Sequence, residues 1–155
     1  MRLFEIPTRR MPVRVILGPG DELAGELFAP QNGPGGAPTT LDQRLNDETE
    51  SFLALSTGNA NVLIHRKQIV AVHSETPRGD DGVPQLDGGS HVEVDLAGER
   101  RLTGRLVYSM PAGRARLIDY LNAAPRFIAL YHADGTTWFN RDKVIRVRAV
   151  AATRE

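Results

Sequence analysis

Apolar and polar residues alternate in ten short segments of the chain, and turn-forming residues separate the segments. Alternation with a period of two is typical of strands that bury one face. Turns are predicted at 18–21, 57–59, 97–98 and 133–135, where Gly, Pro, Asn and Asp are concentrated. Strands are predicted near 12–17, 23–29, 51–56, 61–65 and 68–73, and again near 91–96, 101–109, 126–132, 136–140 and 143–150. The pattern predicts a mainly β protein, with short helices within 40–50 and 115–124.

The two sets of five strands resemble one another residue by residue. Val13–Leu27 aligns without a gap with Val92–Leu106, and Phe52–Val72 aligns without a gap with Phe127–Val147. Most shared positions are the alternate ones that a strand buries. The identities in the two blocks are Val13/Val92, Val15/Val94, Leu17/Leu96, Leu23/Leu102, Gly25/Gly104, Leu27/Leu106, Phe52/Phe127, Ala54/Ala129, Leu55/Leu130, Arg66/Arg141 and Val72/Val147. These identities indicate an internal duplication. A shorter match, Arg-Leu-x-Asp at 44–47 and at 116–119, lies between the two blocks of each repeat.

The duplication divides the chain into two units with a connection between them. The first unit covers 1–73 and contains a Pro/Gly-rich loop at 30–40, and the second covers 91–155. The connecting segment 74–90 is rich in Gly, Pro and Asp, so it is expected to be a flexible linker. Gly25 and Gly104 fall inside strands, where glycine usually marks a bend or a close approach of another backbone.

Each repeat resembles the Sm-like small β-barrel family, of the LSm and Hfq type. The first motif of that family is similar to 13–27 and 92–106, where apolar alternation and a turn precede a glycine in the second strand. The second motif, a strand, a short turn with arginine and a closing strand, is similar to 62–72 and 137–147. The resemblance implies two tandem five-stranded barrels, each with a short helix or irregular insertion between its second and third strands.

The repeats depart from the family pattern at two places. The arginine of the closing turn is followed by Lys67 or Asp142 instead of glycine, and the Asp…Asn pair before the third strand is replaced by the Arg-Leu-x-Asp segment. Because of these departures, the resemblance implies the fold of the family more strongly than it implies RNA binding by this chain. Other small barrels of the SH3 type fit the same pattern.

Charge is distributed unevenly although the net charge is zero. Residues 1–97 hold 8 Lys and Arg against 14 Asp and Glu, and residues 98–155 hold 11 against 5. The first unit is therefore acidic and the second basic. A basic unit can bind an anionic partner, or it can bind the acidic unit of another copy.

Catalytic and metal-binding patterns are absent from the sequence. The chain has no cysteine, which excludes disulfides, thiolate zinc sites and cysteine nucleophiles. The four histidines lack acidic or histidine partners at ligand-like spacings, and the glycines at 18–25 join two strands instead of opening a helix. We expect no catalytic residue, no metal and no cofactor, and hence no enzyme. No segment has the length of a membrane span, so a cytoplasmic location is expected.

Arginine and aromatic residues supply the candidate binding positions. Arg66 and Arg141 recur at one place in both repeats, where they either contact an anion or pair with a carboxylate such as Asp47 or Asp119. Trp138 and Phe139 are adjacent in a strand, so one is expected in the core and the other exposed. The candidates for partner or nucleic-acid binding are Arg66, Arg141, Arg146, Arg148, Trp138 and Tyr131.

The sequence favours an assembly or protein-interaction module over a catalyst. Small open barrels expose strand edges that pair readily, and the units carry opposite charge. Self-association of acidic with basic units is the leading hypothesis, with a homo-oligomer or a protein as partner and no membrane or small-molecule substrate. The alternative is binding of RNA or single-stranded nucleic acid by the basic second unit.

Overall fold

The structure is a computed structural model that describes residues 8–30, 39–75, 90–108 and 117–150. Ten strands and two short α-helices lie in this part of the chain, which confirms the mainly β class. The strands are β1 Thr8–Gly18, β2 Asp21–Pro30, β3 Phe52–Ser56, β4 Asn61–His65, β5 Ala71–Ser74, β6 Ser90–Leu96, β7 Arg100–Leu106, β8 Phe127–His132, β9 Gly135–Asn140 and β10 Val144–Ala149. The helices are α1 Leu41–Leu45 and α2 Leu117–Ala123.

All ten strands belong to one antiparallel sheet, in the order β10-β6-β7-β8-β9-β5-β1-β2-β3-β4. This sheet is not closed into a barrel, so the prediction of two tandem barrels is not confirmed. The reason lies at β5, which pairs with β1 on one side and with β9 on the other. Both edges of β5 are thus occupied, and β4 is left at the end of the sheet.

The strand order is the same in the two halves of the sheet. The first half runs β5-β1-β2-β3-β4, and the second runs β10-β6-β7-β8-β9. Each half therefore places its fifth strand beside its first and its fourth strand at the far side. The antiparallel contact of β9 with β5 joins the two halves.

The start of the fifth strand differs from the prediction in both halves. Residues Arg66–Gln68 and Arg141–Lys143 form 3-10 turns, so β5 begins at Ala71 and β10 at Val144. The side chain preceding each turn caps it: His65 Nδ1 accepts from the Lys67 amide, and Asn140 Oδ1 accepts from the Asp142 amide. A polar side chain that caps a turn in this way competes with continued strand pairing.

The predicted linker and loop lie mostly outside the described residues. Ser74 ends β5 and Ser90 begins β6, while 76–89 are not described. The Pro/Gly-rich loop likewise falls on 31–38, which are not described.

Two apolar clusters form the core, and each contains side chains from both halves. The first cluster is built from 11–72 but also includes Phe127. The second is built from 92–139 but also includes Ile16, Val70 and Ala71. Burying apolar surface is the main source of folding free energy, and a unit of this size buries only a modest fraction of its own surface. Exchange of side chains across the halves extends both clusters.

The helices are short and lie against the sheet. Thr40 caps α1 in a capping box with Gln43, and this arrangement orients Leu41 and Leu45 into the first cluster. Leu117 and Leu121 of α2 pack on the second cluster. Neither of these two described helices has the length needed to cross a membrane.

Gly25 and Gly104 occupy equivalent places where a neighbouring strand passes closely, as predicted. A Cβ atom at Gly25 would lie 2.4 Å from the Ser56 carbonyl oxygen, and one at Gly104 would lie 2.8 Å from the Tyr131 carbonyl oxygen. Ser56 ends β3 and Tyr131 is in β8, the strands that pair with β2 and β7. Glycine is therefore required for the neighbouring strand to approach this closely at these two positions.

We predict that Gly25→Ala and Gly104→Ala each destabilise the protein by about 1–3 kcal/mol, because backbone atoms must move to admit the methyl group. Gly18→Ala is the control, since no atom lies within 4 Å of a Cβ at that position. Urea denaturation followed by circular dichroism measures the effect. Equal stability of all three variants would contradict the close approach.

Candidate functional site: the joint and the open edges

The joint between the halves is a strand pair, formed by β5 and β9. Ala71 lies opposite Phe139, and the register continues to Ser74 opposite Thr136. The Asn140 amide donates to the Val70 carbonyl at 2.9 Å, which extends the pairing by one step. Gly135 lies against the Ser74 carbonyl so closely that a Cβ would be 2.2 Å from its oxygen. The halves are thus held first by backbone hydrogen bonds.

Aromatic side chains of the second half anchor the joint in the first half. Phe127 at the start of β8 is fully buried in the first cluster. Trp138 packs on the same cluster, and its indole Nε1 donates to Asp42 Oδ1 at 3.2 Å. Phe139 is fully buried in the second cluster. Of the two adjacent aromatics, Phe139 is therefore the core residue, and Trp138 contacts the other half of the same chain.

Asn46, at the end of α1, connects the first half to the backbone of β8. Its Nδ2 donates to the Phe127 carbonyl at 3.0 Å, and its Oδ1 accepts from the Phe127 amide at 2.8 Å. The side-chain amide thus makes the two bonds that a strand neighbour would make. Asn140 makes a similar contact in the opposite direction, because its Nδ2 donates to the Ile69 carbonyl at 2.9 Å in a buried place.

Glu48 pairs with arginines from both halves. Its carboxylate lies 3.1 Å from Arg66 Nη1 and 3.0 Å from Arg126 Nε, and Arg126 also pairs with Asp142. Arg66 is almost wholly buried, so its position favours pairing with a carboxylate over contact with an external anion. The partner is Glu48, one residue beyond the Asp47 considered from the sequence. Hydrogen bonds from Thr49 lower the pKa of Asp47, and the nearby charges of Arg66 and Arg44 add to this effect.

A threonine hydroxyl lies between two histidines at the end of the joint. Thr137 Oγ1 is 2.7 Å from His73 Nδ1 and 2.9 Å from His132 Nε2, and the two imidazole rings are 5.9 Å apart. Burial lowers the pKa of His132, and the neighbouring His73 adds to the lowering. The hydroxyl can donate to one ring and accept from the other only while at least one ring is neutral.

The remaining predicted residues lie apart from the joint. Arg141 is exposed and donates from Nη1 to the Ala124 carbonyl, while Tyr131 is half-buried in β8 opposite Arg105. Arg146 and Arg148 lie on β10. The six candidates therefore do not form one surface.

The exposed arginines of β10 form ion pairs with carboxylates of β6, the neighbouring strand. Arg148 is 2.7 Å from Glu93, and Arg146 is 3.3 Å from Asp95. Asp95 also accepts from Arg101 Nε at 2.7 Å, and that hydrogen bond is the main cause of the lowered pKa of Asp95. Positive charge on this face is thus largely matched by carboxylates of β6.

The outer edges, β4 and β10, each have a neighbour on one side only. Phe52, next to β4, is 54% exposed and Leu63 within it is 68% exposed, although their equivalents Phe127 and Trp138 are covered at the joint. Ile145 of β10 is 62% exposed, whereas its equivalent Val70 is buried. The exposed large apolar residues of the described chain are Phe52, Leu63, Ile118, Ile145 and Val150.

Sequence reasoning missed several of these positions. Asn46 and Glu48 belong to a segment noticed only for its Arg-Leu-x-Asp match, and nothing in their spacing indicates a contact with β8. The alignment pairs Phe52 with Phe127, but an alignment does not say which copy of a residue is covered. Only the strand order supplies that information.

We predict that Asn46→Ala weakens the joint and lowers the free energy of unfolding by about 1–3 kcal/mol, because it leaves the Phe127 amide and carbonyl without a partner. Asn122→Ala, an exposed change on α2, is the matched control. Urea denaturation followed by the fluorescence of Trp138, the single tryptophan, reports the change. Asn46→Ala and the control would be indistinguishable if the joint did not depend on this contact.

We further predict that stability depends on pH through His132. The folded protein keeps His132 neutral to a lower pH than the unfolded chain does, so this stability is fully present above pH about 6.5 and decreases as the pH falls below it. Denaturation midpoints between pH 7.5 and 5 should fall less in His132→Gln than in the unmodified chain. His91→Gln, an exposed change on β6, should keep the full dependence; an identical pH profile for His132→Gln and the unmodified chain would refute the prediction.

The role of the joint and the outer edges has to be inferred from their own residues. No protein-family model, curated protein or solved structure matches this chain.

Proposed function

We propose that the chain is a non-enzymatic assembly module whose copies associate through the outer edges of the sheet. The observation that carries this proposal is the location of the exposed apolar residues. Phe52 and Leu63 lie at one edge, and Ile145 and Val150 lie at the other. An unpaired strand flanked by large apolar side chains is a surface on which another strand readily pairs.

The joint supports the proposal because it is an example of such pairing. There the backbones of β5 and β9 meet edge to edge, and residues equivalent to Phe52 and Leu63 are covered. An association of the same kind at an outer edge would bury apolar surface that is now in water. It would also satisfy backbone groups that have no strand neighbour.

The proposal includes an origin by duplication, with two diverged five-stranded units of Sm-like or SH3-like type. The repeated strand order supports it, as do matching details of local structure. The amide of Arg66 donates to the Ser51 carbonyl at 2.8 Å, and the amide of the aligned Arg141 donates to the Arg126 carbonyl at 2.7 Å. Both arginines begin a 3-10 turn between the fourth and fifth strands of their half.

Opposite charges of the two units meet partly within the chain. Glu48 pairs with Arg126, and Glu22 lies 3.3 Å from Arg100. These acidic and basic side chains already pair with each other within one chain, so they contribute little to attraction between copies. The apolar outer edges are therefore the main source of association. Exposed ion pairs contribute little in any case.

We expect the chain to form oligomers whose size rises with protein concentration, measured by light scattering and analytical ultracentrifugation. Leu63→Glu places a charge on an outer edge and should shift association to higher concentration without loss of fold. Thr103→Lys, an exposed change on β7, which has a neighbouring strand on both sides, is the control and should leave association unchanged. A chain that stays monomeric at all concentrations overturns the proposal.

Binding of single-stranded nucleic acid by the second unit is the alternative, and the same preparations test it. A phosphate backbone would have to compete with Glu93 and Asp95 for Arg146 and Arg148. Titration of a labelled oligonucleotide at two salt concentrations therefore should show no binding by the monomer or the oligomer. Binding that falls steeply with salt and is weakened by Arg146→Ala would favour the alternative.

A further inference from the structure

We infer that the joint between the halves is a pH-sensitive switch: protonation of both His73 and His132 separates β9 from β5 at the Ser74 end of the joint, while each half stays folded. The histidine cluster that carries this role consists of His73, Thr137 and His132. The inference goes beyond the proposed assembly, because it concerns a contact within one chain and holds whether or not copies associate.

Three adjacent strands supply the histidine cluster, with one residue each. His73 lies on β5, Thr137 lies opposite it on β9, and His132 is the last residue of β8. The Thr137 hydroxyl is within hydrogen-bond distance of both rings, at 2.7 Å and 2.9 Å. One hydroxyl therefore connects a ring of the first half with a ring of the second, at the strand pair that forms the joint.

The hydrogen bonds of the cluster accommodate one proton on the pair of rings but not two. With one imidazolium, the N–H of that ring donates to the hydroxyl oxygen, and the hydroxyl donates to the bare nitrogen of the neutral ring. A second proton occupies that bare nitrogen, so the hydroxyl loses its acceptor although Thr137 is only 3% exposed. Loss of the acceptor of a buried donor is costly. The second protonation therefore weakens the closed joint.

Charge repulsion acts in the same direction. The two ring centroids are 5.9 Å apart, so two imidazolium ions would repel each other across the hydroxyl. On the side of His73, Arg14 lies opposite it on β1 and pairs with Glu75 at 3.3 Å. This arginine and this carboxylate largely cancel, so the repulsion between two protonated rings remains.

The surroundings of His132 also favour its neutral form. Burial, the largest effect, and the neighbouring histidine lower the pKa of His132, against the opposing effects of a hydrogen bond to the Thr103 backbone and the charge of Asp134. Arg105 of β7 lies opposite Tyr131, so its side chain is on the other face of the sheet from His132. The separated end of the joint binds a second proton more readily than the closed joint. Separation therefore increases as the pH falls below about 6.5.

Close packing prevents the rings from moving apart within the closed joint. A Cβ at Gly104 would lie 3.0 Å from His132 Nδ1, and one at Gly135 would lie 2.2 Å from the Ser74 carbonyl oxygen. The rings can therefore separate only where a strand pair opens. β8 and β9 pair over all six residues of β8, whereas β5 offers only four residues to β9. The joint is the shorter pair, so it opens first.

Groups that do not titrate near neutral pH hold the other end of the joint. The side-chain amides of Asn46 and Asn140 each bond to the backbone of the opposite half, and Phe127 is buried in the first cluster. Acid leaves these contacts unchanged. Separation is therefore confined to the Ser74 end, and the two halves remain joined at the opposite end.

Thiol labelling tests the switch, because the chain contains no cysteine. Ser74→Cys places a thiol at a position that is 4% exposed in the closed joint, and Asn59→Cys, in an exposed turn, is the reference for intrinsic reactivity. A pyridyl disulfide labels both variants. We expect the labelling rate at residue 74, divided by that at residue 59, to rise by about ten-fold or more between pH 7.5 and pH 5. Carboxylates of ordinary pKa stay ionised over this range.

Histidine variants show whether the rise in labelling comes from the cluster. In the Ser74→Cys background, His73→Gln and His132→Gln should each keep the labelling ratio constant, because one remaining histidine cannot supply the second proton. His91→Gln, an exposed change on β6, should keep the full rise. Val94→Cys, at a fully buried position of β6, should stay unlabelled at both pH values, since only unfolding of the second half would expose it.

A disulfide across the joint supplies a second measurement. Ser74 and Thr136 are directly opposed, which is within the reach of a disulfide bond. In Ser74→Cys/Thr136→Cys, the fluorescence of Trp138, which lies in the joint, should change between pH 7.5 and pH 5 when the cysteines are reduced and stay constant when they are oxidised. A labelling ratio that does not rise, a rise shared by Val94→Cys or kept in both histidine variants, or an equal fluorescence change in the oxidised protein would overturn the switch.

Discussion

The antiparallel contact of β5 with β9 determines the arrangement of the whole molecule. It continues one sheet from the first half of the chain into the second and leaves β4 and β10 as the ends. It also allows each core to extend across the contact, since Phe127 enters the first cluster while Val70 and Ala71 enter the second. A half of about seventy residues has little core of its own, so this exchange of side chains makes the halves depend on each other for stability.

Side chains make this strand contact specific, because backbone pairing alone does not distinguish one strand from another. Asn46 recognises the backbone of Phe127, the indole of Trp138 reaches Asp42, and Arg126 reaches Glu48. β4 contains no Asp, Glu, Lys or Arg, and the residue at the place of Asn46 in the other repeat is Ile118. The polar contacts therefore distinguish the joint within the chain from any contact that the apolar outer edges make.

Much of the fold could be predicted from alternation and turn chemistry, because these act over a few residues. Ten strands, the close approach at Gly25 and Gly104, and the mainly β class are all of this kind. Closure of the sheet could not be predicted, since it depends on which distant strand occupies the second edge of β5. Phe52 and Phe127 show the limit most clearly. They are identical residues in aligned segments, yet one is mostly exposed and the other is fully buried.

The same limit applies to the candidate site residues. Arg66 and Arg141 are aligned and start equivalent turns, but Arg66 is buried beside Glu48 and Arg141 faces solvent. The alternation correctly indicates that Trp138 and Phe139 point to opposite faces. It does not indicate that the face of Trp138 is covered by the other half, because that contact arises only when the two halves meet.

The covalent connection between the halves has a consequence for stoichiometry. A contact between two parts of one chain forms at an effective concentration of the order of millimolar, set by the length of the connecting segment. The β5–β9 joint therefore does not vary with the amount of protein, and first and second halves are always present in equal number. Each copy presents two unlike edges, β4 at one end of its sheet and β10 at the other, so that a substitution can alter one edge and leave the other unchanged.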